Sequence, residues 1–168
     1  MTRDHDTWEG IVQTIAVDQI GRTGLHHPTR PGTGINANDW PTDLDRASFD
    51  ELGWWLGHLA GWLAYARAQL GLTDAVRVYS EDRLRPIRAR AYHASTSEKV
   101  TDKRADVDAD ADVEAQRDLI ARAHSQAKLL TGIVDGLVDK YAAVSREIAR
   151  RESEVRISGS AGNVRGAT

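Results

Sequence analysis

Arginine and tyrosine gather in one short stretch of this 168-residue chain. Arg77, Arg83, Arg85, Arg88 and Arg90 interleave with Tyr79 and Tyr92, and Lys99, Lys103 and Arg104 follow. Guanidinium groups grip phosphate oxygens through a planar fork of N–H donors, and tyrosine rings stack on unpaired bases. Together they are the equipment of a single-stranded nucleic-acid track. The same arginines also suit a plainer task. They can pair with the acidic run that begins after residue 105, or with carboxylates of a neighbouring subunit.

The charge distribution sharpens this contrast. The formal net charge is −3, too small to imply a nucleic-acid or membrane partner by itself. Residues 77–104, however, hold eight basic and four acidic side chains, net +4, whereas residues 1–76 sum to −5 and residues 105–168 to −2. The positive charge is gathered in one place.

Other chemistries lack their residues. The chain has no cysteine, so disulfides, zinc–thiolate sites and thiol catalysis are excluded together. His5, His26, His27, His58, His93 and His124 include no i,i+4 pair and no His-Glu-x-x-His. There is no phosphate loop and no Gly-x-Ser-x-Gly; Gly32-Thr-Gly34 is only a fragment of a glycine motif. Asp106, Asp108, Asp110 and Asp112 alternate with small residues like a calcium loop. Position six from Asp106 is Ala111 and position twelve is Arg117, where an EF-hand needs Gly and Glu. The run reads better as the solvated acidic start of a long helix, favourable toward its dipole. No enzyme, metal or cofactor is expected.

The elements that position the basic stretch are helices. Val113, Gln116, Ile120, Ala123, Ala127, Leu130, Val134, Leu137, Tyr141, Val144 and Ile148 step by threes and fours, and Arg151 and Val155 keep the phase. Such a seam predicts one helix over about 101–154 that must be buried along its length. Leu52, Trp55, Leu56, Leu59, Trp62, Leu63, Ala66 and Leu70 line a face of a second helix, 48–70, with a Ser48/Glu51 capping box and Gly71 just past its end. A third helix is expected from Thr73-Asp74 to about Ser95, kinked or broken near Pro86. Residues 9–20 fit either a short strand or a helix. Residues 21–47 carry four glycines and three prolines and read as an irregular arm, mobile until Trp40 or Ile35 docks on a neighbour. Trp55 and Trp62 fall on the core face of their helix and Trp54 off it.

The expected fold is therefore all-α: a long helical hairpin or coiled coil, with 48–70 as a shorter packing helix and an irregular N-terminal arm. The organisation is an arm (1–47), a helical domain (48–157) and a flexible tail (158–168). The seam Leu130, Val134, Leu137, Tyr141, Val144, Ile148 is longer than two short helices can cover, so a homo-oligomer is expected. No apolar run approaches the roughly 18 residues needed to span a bilayer. The polar start, Met1 to Asp6, lacks a signal-peptide core. Both point to the cytoplasm.

An apolar helix is followed by a Tyr- and Arg-bearing helix, a polar break Lys99-Val-Thr-Asp-Lys-Arg-Ala105, and a long helix with Ala127-Lys-Leu-Leu130 and Val144-Ser-Arg-Glu-Ile-Ala-Arg-Arg151. This order resembles small helical proteins of tailed bacteriophages, in particular the T4-type recombination mediator family, over about 50–155. The resemblance implies DNA recombination in the host cytoplasm, oligomeric rings, single-stranded DNA binding and contacts to a recombinase. Carried onto this chain it marks Arg88, Arg90, Lys99, Lys103 and Arg104 as facing DNA. The acidic net charge, Pro86 and the Gly/Pro/Trp-rich arm depart from the family pattern. The alternative expectation is a phage structural or assembly protein that acts only by self-association.

Overall fold

A computed structural model of the chain describes residues 8–15, 20–24, 26–32, 40–41 and 43–164. The elements are α1 (Trp8–Thr14), a 3-10 turn (Leu44–Arg46), α2 (Phe49–Ala94), α3 (Val100–Asp108) and α4 (Ala111–Val164). The fold is all-α, and among the described residues there is no strand. Two compact units divide the chain: 1–28 with 67–132, and 29–66 with 133–168. Residues 8–15 are helical, which settles the strand-or-helix ambiguity of 9–20 in favour of helix for that part; residues 16–19 lie outside the described residues.

The capping box forms at the start of α2. The Ser48 N–H donates to Glu51 Oε2 at 2.7 Å and the Glu51 N–H donates to Ser48 Oγ at 3.2 Å. The bond from the Ser48 backbone, then that from its hydroxyl, holds the Glu51 carboxyl below its ordinary range.

Beyond this start, α2 differs from expectation. It does not end at Gly71 and restart at Thr73 but runs unbroken for 46 residues. The face Leu52, Trp55, Leu59, Trp62, Ala66, Leu70 continues at spacings of three and four through Thr73, Val76, Ser80, Leu84, Ile87 and Ala91. All of these are buried or half-buried. Thr73 and Ser80 are polar, so the second half of this seam is hidden in the sequence. Pro86 does not break the helix. It stands exposed, and the Asp82 carbonyl that loses its i+4 donor belongs to an exposed residue that water can reach. Gly71 is also exposed, with open space where a Cβ would stand.

In the first unit, Ile11 and Ile15 pack on Leu72 and Val76, with Leu119 of α4 against the same cluster. The short packing helix is therefore α1, not 48–70. A second cluster joins Ala91 of α2, Val107 of α3 and Val113 of α4, with Leu84 and Ile87 alongside. Between them the buried Gln116 donates from Nε2 to the Ser80 carbonyl at 2.9 Å. From Ala91–Val113 to Val76–Leu119 the partners run in opposite directions, so α2 and α4 form an antiparallel hairpin here.

The expected 101–154 helix is divided in two. Asp110 Oδ1 accepts from the N–H groups of Asp112 at 3.0 Å and Val113 at 3.2 Å, the N-cap arrangement that starts α4 afresh. The backbone of α4 continues to Val164, beyond the expected onset of a tail at 158, and residues 165–168 lie outside the described residues.

The second unit pairs 49–66 of α2 with the stretch of α4 from 133 to 151. Leu52, Trp55, Leu59 and Ala66 are buried on one side, and Val134, Leu137 and Val144 on the other. Trp40 meets Trp55 edge-on with centroids 5.3 Å apart, and Lys140 Nζ lies 5.0 Å from the Trp40 ring centroid. Trp40 thus docks on its own chain rather than on a neighbour; Ile35 and the rest of 33–39 lie outside the described residues. Trp54 is 55% exposed and stacks on His58 at 4.6 Å, off the core face as expected.

The seam residues carry a second correction. Val134, Leu137 and Val144 are buried, and Leu130, Tyr141 and Ile148 half-buried, within a single chain. An unbroken α2 supplies the length of cover that two short helices lack, so the seam by itself no longer calls for another copy.

Candidate nucleic-acid interface

The basic stretch runs from the last third of α2 through the turn into α3, and its arginines up to Arg90 lie on α2, where the core face is Ser80, Leu84, Ile87 and Ala91. A helix turns about 100° per residue, so positions one step before and one step after this face lie on its opposite flanks. One flank carries Glu81, Arg85, Arg88 and Tyr92. The other carries Tyr79, Arg83, Pro86 and Arg90. The arginines read as one track in the sequence are therefore split between two surfaces, with the core between them.

The Arg85–Arg88–Tyr92 flank gathers the most cationic groups. Arg85, Arg88 and Tyr92 are all exposed, Tyr92 by 37%. Lys103 of α3 leans over the same ring, with Nζ 5.5 Å from the Tyr92 centroid. Lys99, the N-cap residue of α3, and Arg104 are exposed on the neighbouring element. The α3 helix is tied to the turn that follows α2: Ser95 Oγ and Ser97 Oγ donate to Asp106 Oδ2 at 2.5 and 2.8 Å. The Ser95 bond, then the Ser97 bond, keeps the Asp106 carboxyl below its usual range.

On the second flank, Arg83 Nη1 donates to the Tyr79 hydroxyl at 3.5 Å, with its guanidinium carbon 5.8 Å from the ring centroid. Arg90 borders a small cavity floored by Ile87, Ala91 and Ala94 and rimmed by Asp110 and Asp112. Arg77 is turned inward to its own helix, bonded to Glu81 at 3.1 Å with Asp74 at 3.5 Å. Nearby carboxylates thus already engage part of the basic stretch.

Two residues outside the expected set join the first flank. Asp108 Oδ1 accepts from Arg117 Nη2 at 2.5 Å and lies 3.7 Å from Arg88 Nη2. Arg117 belongs to α4 and falls outside the basic stretch by sequence; only the fold brings it to Arg88. The alternating aspartates also part ways. Asp106 closes the α2–α3 turn, Asp108 meets the two arginines, and Asp110 caps α4. Among the described residues no cluster of three or more His, Asp or Glu side chains could hold a metal ion. Among the described residues, too, no helix is long and apolar enough to cross a membrane.

A separate polar cluster sits in the second unit, on Ser145-Arg-Glu-Ile-Ala-Arg-Arg151. Glu147 is buried and accepts from Arg150 at 2.7 Å and Arg151 at 2.5 Å. The bonds from Arg150, then Arg151, hold its carboxyl down at about 2. Arg151 also donates to the carbonyls of Ala47 at 2.6 Å and Leu44 at 2.7 Å, and Arg150 to Asp45 at 3.2 Å. The cluster fastens the 3-10 turn that precedes α2. The sequence shows Arg151 only as a polar interruption in a heptad, and that interruption is the one signal that could have revealed it. Comparison with family models, curated proteins and solved structures finds no match to this chain.

Proposed function

We propose that this chain is a non-enzymatic DNA-recombination accessory protein that holds single-stranded DNA on the α2–α3 face. The observation that carries the reading is the exposed stripe Arg85, Arg88 and Tyr92 along one flank of α2, with Lys103 of α3 over the Tyr92 ring. Spaced cations beside an aromatic ring can follow a phosphate backbone while a base stacks, without reading sequence. The second flank, with Tyr79, Arg83 and Arg90, takes no part. The phage setting, the recombinase contact and the homo-oligomeric form rest on the order of elements in the sequence, and the acidic remainder of the chain confines DNA to this face.

A structural or assembly protein is the second reading. It is favoured by the internal pairing of Arg77 with Asp74 and Glu81 and by the Arg88–Asp108 contact. The solution mass with and without an oligo-dT strand, at 50 and 200 mM salt, separates the two. Binding at 50 mM that weakens steeply at 200 mM supports the first reading. Self-association with no binding at 50 mM supports the second.

A further inference from the structure

Resting on the proposal that single-stranded DNA lies on the α2–α3 face, the geometry points to Arg88 and Arg117 as a two-arginine cradle for one backbone phosphate, occupied in the free protein by the Asp108 carboxylate. The two guanidinium groups come from different helices and converge on one carboxylate oxygen, Oδ1 of Asp108. A phosphodiester oxygen is the other anionic acceptor that such a pair recognises.

The two sides of this contact are not equally fixed. Arg117 follows Gln116, which is buried and bonded to the Ser80 carbonyl at 2.9 Å, and Arg88 is flanked by Ile87 and Ala91 of the α2–α4 core. The cradle backbone is therefore set by packing. Asp108, in contrast, is the last residue of the nine-residue α3, beside the short break before α4. A carboxylate there faces the negative end of the helix dipole, the least favourable place for it. It is also unequally engaged. Arg117 is hydrogen-bonded at 2.5 Å, whereas Arg88 at 3.7 Å lies outside hydrogen-bond range and keeps its N–H groups for another acceptor. All three side chains are between 40% and 53% exposed, so a strand can reach them. Tyr92 stands one turn beyond Arg88 on the same stripe, where a base next to the seated phosphate would stack. Binding is then an exchange. The phosphodiester displaces Asp108 from the two arginines, and the carboxylate turns to water. Asp108 acts as an internal competitor that keeps the free face from holding anions indiscriminately.

The test is oligo-dT affinity by fluorescence anisotropy on the full chain at low salt. Asp108→Asn should bind two- to fivefold more tightly than wild type, the range that losing an exposed ion-pair competitor spans. The gain should vanish in an Arg88→Gln/Arg117→Gln background. A general effect of removing one negative charge would survive in that background, and it would also appear in Asp102→Asn, the control on the outer side of α3. Asp108→Ser repeats the measurement should the asparagine variant fail to fold. If wild type binds but neither Asp108 variant binds more tightly, or if the gain persists without the two arginines, the cradle is wrong while the DNA face stands. If no protein binds at low salt, both fall. Inorganic phosphate should compete for the two arginines better than chloride at matched ionic strength, and that excess should disappear in the Arg88→Gln/Arg117→Gln background; phosphate that binds the wild type and is not displaced by oligo-dT would assign the cradle to free phosphate and overturn the strand.

Discussion

Charge reversal on one flank of α2 should abolish most of the salt dependence of DNA binding, and reversal on the other should leave it. Arg85 and Arg88 share the stripe with Tyr92, and Lys103 reaches that ring from α3 at 5.5 Å. Three cations facing a single strand predict a slope of log affinity against log salt of about −2.1, at roughly −0.7 per phosphate. Between 50 and 200 mM salt, wild-type affinity should then fall by about 18-fold. Arg85→Glu with Arg88→Glu removes two of the three phosphate contacts, with the new carboxylate at position 88 also engaging Arg117, so the slope should shrink to about −0.7 and the same salt step should cost about 2.6-fold. Affinity at 50 mM should fall too, because two attractions have become repulsions. Arg83→Glu with Arg90→Glu changes the net charge by the same amount on the opposite flank and should keep the slope within about 0.3 of wild type. Both pairs are needed, because an arginine-rich stretch acting through net charge alone would respond equally to either. Fluorescence titration of a labelled oligo-dT at four salt concentrations reads the slopes, and circular dichroism confirms that each variant is folded. Equal losses from the two pairs, or a loss confined to Arg83 and Arg90, would refute the assignment of the DNA face.

Other expectations concern the scaffold. Leu59→Ala removes a fully buried side chain from α2 and should lower unfolding stability by about 2–5 kcal/mol in urea titration, with an unchanged m-value. Because Glu147 titrates near 2 in the folded chain against an ordinary 4.5, its contribution should be complete above about pH 4.5 and lost as pH falls toward 2; Glu147→Gln should flatten that limb of stability against pH. Pro86→Ala should raise the melting temperature, since it restores a helical donor at an exposed position and removes a residue that disfavours helix by up to roughly 3 kcal/mol.

The helical hairpin was legible because a three–four spacing sustained over residues 113–148 admits one geometry, a helix buried along a single stripe. The capping box at Ser48 was legible because it depends on four consecutive residues. The path of α2 was less so. Gly71, Thr73-Asp74 and Pro86 each signal an end or a break locally, and each is overridden by the partner helix. Leu72, Thr73 and Val76 lie against the first unit's core, so ending the helix at Gly71 would give up that burial, whereas an exposed glycine costs only about 1 kcal/mol. Thr73 and Ser80 completed the face without looking apolar. The DNA face was half legible. Residue types over 77–104 identified the chemistry, but sorting the arginines into two flanks needed the core positions, and Arg117 could be found only by folding α4 back on α2.

The same reasoning changes what the long seam says about assembly. A heptad states that a stripe must be covered; it does not state by what. With α2 read as two short helices, Leu137, Tyr141, Val144 and Ile148 lacked cover, and a second copy was the natural occupant. With α2 continuous from Phe49, those residues are buried or half-buried in one chain, and Arg151 closes the seam by bonding the carbonyls of Leu44 and Ala47. Past that point Val155 keeps the heptad phase yet is 65% exposed, because the chain that covers α4 turns away at the 3-10 turn. The physical case for self-association has therefore moved from the hairpin seam to the exposed residues 152–158 of α4, and a substitution meant to separate copies belongs at Val155. Leu137→Asp would place a charge in the chain's own core and unfold the hairpin whether or not it associates.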